Sequence, residues 1–156
     1  MKNKLWLILF ILIIFSLGYF RDRLFVNVNY QLGTLYHNTP SIYLSEYFLF
    51  LKNYTYQQLY WSKWILTIFF TLLYYSLTIL VTLITTGKKS IIKWCTITYV
   101  FFFVLSGLCF LIGKIIGNPE AGYKFARIFM GILQSPIILM ILYPLFSLSF
   151  KSKSDS

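Results

Sequence analysis

"WILTIFFTLLYYSLTILVTLITT", residues 64–86, contains no charged side chain and is longer than the ~20 apolar residues that cross a bilayer's hydrocarbon core. It reads as a transmembrane helix. Within it Thr67, Thr71, Tyr74 or Tyr75, Thr78 and Thr82 recur every three or four residues, so a helix places them on one face. Such a hydroxyl stripe packs one membrane helix against another by bonding across the seam. A substrate pathway is the sharper alternative.

Working outward, three more apolar runs flank this one, at residues 5–20, 94–113 and 128–150. The composition agrees, with 58% hydrophobic and only 12% charged residues, where a soluble domain carries about 25% charged. The expected fold is an all-α membrane protein with four transmembrane helices in a single integral domain over residues 1–156. The formal charge of +10 does not point to nucleic acid, because the cations collect at the edges of apolar runs, where they meet lipid headgroups. Abundant Lys, Ile, Asn, Tyr and Phe suggest an AT-rich bacterial genome.

Orientation follows from the short basic flanks. Lys2, Lys4, Lys88, Lys89, Lys93, Lys151 and Lys153 all fall on one side of a four-helix topology. The positive-inside rule makes that side cytoplasmic, with both termini there. The cations of the other side, Arg21, Arg23, Lys52, Lys63, Lys114, Lys124 and Arg127, are as numerous but spread over a longer loop and helix ends. The expected location is the bacterial inner membrane. Lys2 and Lys4 before an apolar run also resemble a signal peptide, yet "FSLGYFRD" is a poor cleavage motif, and a retained first helix is expected.

The outer segment 21–63 reads as more than a linker. In "TPSIYLSEYFLFLK", Thr39 is a candidate N-cap and Pro40 a first helical residue. The body suits an interfacial helix lying at the membrane surface. "TYQQ", Thr55 to Gln58, fits a capping box, so the second membrane helix is expected to begin well before its apolar core. Tyr56, Tyr60, Trp61 and Trp64 would form an aromatic belt there.

The fourth run poses the main question. Arg127, Gly131, Gln134 and Ser135 lie at i, i+4, i+7 and i+8, on one helical face. A guanidinium in hydrocarbon is costly, so this face should point into the bundle or at a partner. Pro136 withdraws a backbone bond from Ile132, and Pro144 from Met140. The freed carbonyls would produce a kink or a polar pocket. Asp22 and Glu120 are the candidate carboxylates for Arg127, alone or in a network with Arg21 and Arg23. The bland alternative is an Arg that snorkels or locks two helices.

Catalytic signals are thin. The acids are Asp22, Glu46, Glu120 and Asp155, His37 is the single histidine, and no metal-ligand spacing or cofactor motif occurs. Cys95 and Cys109 would be ~21 Å apart on one helix, too far for a disulfide. Gly113 and Gly117 have GxxxG spacing near the end of the third run.

"FRDRLFVNVNYQL" at 20–32, "YWSKWILTIFFTLLYY" at 60–75 and "GNPEAGYKFARIFMGILQSPIILMILYP" at 117–144, with a short basic tail, resemble the small multi-pass membrane proteins encoded beside exosortases in Bacteroidetes. The resemblance covers most of the chain as topology and two blocks, 20–32 and 117–144. "LSGLC" is similar to the Ser-Gly-Leu near an exosortase nucleophile, but Cys109 follows that tripeptide instead of preceding it, so no catalytic role is carried over. The resemblance implies a non-enzymatic accessory of a protein-sorting or surface-polymer export system, bound to an exosortase-like membrane protein. The 21–31 block and the Arg127 face would be its contact surfaces. An intramembrane enzyme using Cys109 and Arg127, and a small transporter or lipid-binding subunit with a site around Gln134, remain open alternatives.

Overall fold

The computed structural model describes residues 2–40, 42–87 and 89–151; Lys88, Lys153 and Asp155, used above, lie outside them. Among the described residues the architecture is all-helical: α1 Lys2–His37, a 3-10 helix Glu46–Asn53, α2 Tyr56–Thr86, α3 Ser90–Ile115, α4 Pro119–Leu133 and α5 Ile137–Lys151. Two helices are long and apolar enough to cross a membrane, over Tyr56–Ile84 and Ser90–Ile115. The bent pair Pro119–Leu133 and Ile137–Leu145 makes a third if counted as one span.

The chain divides into two compact units, residues 15–70 and residues 1–14 with 71–156. In the first, the sequence reading needs correction. Residues 21–37 are not irregular connecting chain, because α1 continues to His37. Leu24, Val28, Leu32 and Leu35 recur every three or four residues, and this stripe packs on Leu44, Leu51 and Leu59. Burial of an amphipathic face, rather than hydropathy, keeps the helix going.

Asn38 then takes a left-handed φ of 52°, and the Thr39 N–H donates to the Thr34 carbonyl at 3.0 Å. This is the six-to-one bond of a Schellman helix stop, followed by a proline that cannot extend the helix. Thr39 and Pro40 therefore end α1, and the expected surface helix starting there does not form. A shorter 3-10 helix takes its place, with Ser45 at its N-cap.

Two side chains of α1 hold the connecting segment. The Asn27 Oδ1 accepts from the Ser45 N–H at 3.1 Å, while its Nδ2 donates to the Arg23 carbonyl at 2.8 Å. The Tyr30 hydroxyl accepts from the Tyr43 N–H at 3.1 Å. Leu44 and Leu51 plug the apolar cluster, whereas Tyr43 and Tyr47 are left 84% and 89% exposed.

The capping box at the start of α2 forms as read. The Gln58 side chain accepts from the Thr55 N–H at 2.9 Å, and the Thr55 hydroxyl accepts from the Gln58 N–H at 3.4 Å. The rings of Tyr56, Tyr60, Trp61 and Trp64 follow as an exposed, mutually packed aromatic group.

In the second unit, α3 and α4 form an antiparallel hairpin. Gly117, at φ +79°, makes the turn, and Asn118 caps α4 by accepting from the Ala121 N–H at 3.1 Å. Pro119 occupies the first turn of α4. The last helical run therefore starts nine positions before residue 128, and it breaks after Leu133 with a 55° bend.

The two backbones meet at glycines. A Cβ on Gly122 would lie 2.8 Å from the Cys109 carbonyl oxygen and 2.7 Å from the Gly113 Cα. The neighbouring contacts are also small or aromatic: the Ser106 hydroxyl donates to the Ala126 carbonyl at 2.9 Å, and Phe102 lies against Phe129. By contrast, a Cβ on Gly131 would meet nothing within 4 Å. Gly122→Ala is therefore expected to lower the thermal midpoint of the detergent-solubilised protein by several degrees, and Gly113→Ala to do the same. Gly131→Ala should leave it unchanged or raise it through helix propensity, worth ~1 kcal/mol. A thermal unfolding series followed by circular dichroism checks the contrast.

Candidate functional site

The break between α4 and α5 shows how this chain handles polar groups in an apolar setting. Pro136 has no N–H to offer the Ile132 carbonyl. Ser135 supplies the missing donors, its hydroxyl at 2.8 Å and its backbone N–H at 3.3 Å. The same hydroxyl accepts from the Ile137 N–H at 3.4 Å, so one oxygen bridges the last turn of α4 and the first of α5. The Pro136 carbonyl then accepts from the Met140 N–H at 2.9 Å, which starts α5. The freed carbonyl gives a kink, as the sequence indicated, and the kink closes on itself.

Gln134, at the C-cap of α4, is 2% exposed. Its Nε2 donates to the Thr71 hydroxyl at 3.2 Å, tying the break to α2. Leu133 and Ile138 on either side enter the apolar cluster of this unit, with Ile91, Cys95, Tyr99 and Leu142.

The hydroxyl stripe of α2 packs in the same way. Thr78 donates to the Tyr74 carbonyl at 2.8 Å and meets the Tyr99 hydroxyl at 3.1 Å. The Tyr75 hydroxyl meets Thr96 at 2.8 Å. Thr82, fully buried, donates to the Thr78 carbonyl at 2.6 Å and lies 3.9 Å from the Cys95 sulfur. The Tyr74 hydroxyl donates to the Ile14 carbonyl at 3.1 Å. Every buried side-chain nitrogen and oxygen among the described residues has a hydrogen-bond partner, as groups removed from water require.

Arg127 behaves differently. It is exposed on α4 and makes no ion pair among the described residues, because both expected carboxylates are engaged elsewhere. Glu120 sits 2.8 Å from Lys124, one turn along the same helix. Asp22 is 2.6 Å from Arg21. The i,i+4 register on α4 gives Glu120 a cation closer than Arg127, so that expected pair does not form.

The remaining candidates are met locally. Arg21 lies 4.9 Å over the Phe25 ring and Arg23 lies 5.1 Å over the Tyr19 ring. Arg23 also donates to the Tyr19 hydroxyl at 3.0 Å. Within the 21–31 block nominated as a contact surface, Asn27, Val28 and Gln31 are buried in the chain's own packing, and Val26 and Asp22 remain outside it.

The sequence reading missed Gly122 and the Asn118–Pro119 helix start, though both left a signal. Asn followed by Pro and Glu is a helix N-terminus pattern, and it turns "GNPEAGY" from a loop into the first turns of α4. Once α4 starts there, Gly122 falls opposite Gly113.

Comparison with known protein families, curated proteins and solved structures finds no match for this chain.

Replacing Ser135 by Ala removes the hydroxyl that serves both helices across the break, at about 1–2 kcal/mol for the two bonds. Hydrogen exchange in micelles should then rise at residues 135–138 and stay unchanged in α3.

Proposed function

We propose that this chain is a non-enzymatic accessory protein of the bacterial inner membrane that binds another integral membrane protein, as part of an exosortase-type sorting or surface-polymer export system. The observation that carries the binding reading is a contrast in polar groups. Those of α2, α3 and the α4–α5 break are bonded within the chain, while Arg127 stands exposed on α4 without a counter-charge. Such a cation calls for a partner when its helix lies in a membrane. The exosortase context comes from the sequence resemblance at 20–32 and 117–144.

In this reading the apolar first half of α1, α2, α3 and the broken pair α4–α5 make four crossings. Lys2, Lys4, Lys89, Lys93 and Lys151 then share the cytoplasmic side. The exposed Tyr43, Tyr47 and Phe50 of the 38–55 segment suit the headgroup layer as an interfacial element.

The burial of Gln134 and of the threonine stripe in helix packing favours this reading over a substrate site at those residues. Affinity purification of the tagged chain from its native membrane in mild detergent provides the test. The expected result is a stoichiometric membrane protein, recovered equally with Cys109→Ser. Recovery of the chain alone, together with loss of sorting in Cys109→Ser, would overturn the proposal in favour of an intramembrane enzyme.

A further inference from the structure

We infer that the Arg127–Gly131 face of α4 seats a transmembrane helix of the partner protein that carries a carboxylate. This rests on the accessory reading above and names the chemistry by which the partner is recognised.

Eight residues separate Arg127 from Pro119, about 12 Å of helical rise, and α4 packs along α3, a helix long and apolar enough to span. Half a hydrocarbon core is about 15 Å, so the guanidinium lies well below the turn at Gly117. Glu120 and Lys124, nearer that turn, already neutralise each other.

Arg127 makes no ion pair among the described residues, and no acid follows Glu120 through α4 and α5. A second copy docked here would bring like charges together. The complementary group is therefore a carboxylate from another protein, and Arg accepts it through two parallel N–H···O bonds. In a low dielectric that pairing is far stronger than at a water-exposed surface.

Gly131 supplies an independent observation. One turn beyond Arg127, it lies where a Cβ would meet nothing within 4 Å. The chain's own packing thus does not require a glycine there, although glycine within a helix carries a penalty. A helix seated over Arg127 can use this notch, because the absence of a side chain lets two backbones approach closely. Cation and notch sit at i and i+4 on one face, a spacing that one straight helix can satisfy at both points.

A photoreactive benzoylphenylalanine placed at Ile128, which is 57% exposed beside this face, tests the seat in native membranes with the full chain. The expected crosslink is to an integral membrane protein, within an apolar segment containing one Asp or Glu. Arg127→Gln should lower its yield by about 30-fold, the scale of breaking a buried charge pair. Arg127→Lys should lower it less, since the charge remains and the planar fork is lost. Gly131→Leu should lower it while leaving the thermal midpoint of the isolated chain unchanged. Arg127→Glu combined with an acid-to-Arg change in the partner should restore it.

A partner that still co-purifies, with a crosslink indifferent to Arg127→Gln and Gly131→Leu, would overturn the seat and leave the accessory reading standing. A crosslink to phospholipid lost in Arg127→Gln would assign the cation to a headgroup. A crosslink to a second copy would also overturn the inference. If wild type recovers no partner by any route, the accessory reading falls with it.

Discussion

Close approach of two backbones at Gly113 and Gly122 is the constraint on which the second half of the chain depends. With α4 held this close to α3, the Ser106 hydroxyl reaches the Ala126 carbonyl a turn further along. That register places Leu133 and Gln134 against α2 and α3, and it turns the opposite side of α4, with Arg127, outward. Without a hydrophobic drive between helices in lipid, van der Waals contact of this kind is a main source of association. One hydrogen bond and one pair of missing methyl groups therefore determine which face of α4 is available to other molecules.

The first unit solves the same problem by different means. Its polar residues, Asn27, Gln31 and Thr34, are buried; Asn27 and Thr34 donate to nearby carbonyls, the Gln31 Oε1 accepts from the Thr34 hydroxyl, and Asn27 reaches eighteen positions to Ser45. A side-chain amide that both accepts and donates can bond to its own helix and to a distant loop at once. The 3-10 helix then needs only Leu44 and Leu51 to dock, which leaves its aromatic side chains outside.

Helix existence was legible wherever hydropathy or capping chemistry spoke plainly. The 64–86 run, the reciprocal Thr55–Gln58 box and the proline break at Pro136 all take the form their residues imply. Boundaries decided by tertiary burial were not legible. Residues 21–37 are too polar to read as a membrane run, and their one apolar stripe acquires meaning only against Leu44, Leu51 and Leu59. Asn38, Thr39 and Pro40 serve equally as a helix stop and a helix start, and the left-handed φ at Asn38 decides between them. The face read from Arg127 to Ser135 is cut short because α4 ends at Leu133, which leaves Gln134 buried and Arg127 exposed. Spacing misassigned Glu120, because Lys124 one turn away competes for it at shorter range than Arg127 two turns away.

The bend between α4 and α5 also bears on how the chain is made. Each of these helices has fifteen residues, about 22 Å of rise, against a hydrocarbon thickness of ~30 Å. In the four-crossing arrangement neither piece can serve as a membrane anchor as it leaves the ribosome. If α4 and α5 form one crossing as proposed, it would become a stable stop only after α5 had followed α4 out of the exit tunnel. Until then the glycine contact with α3 would be what holds α4 in place.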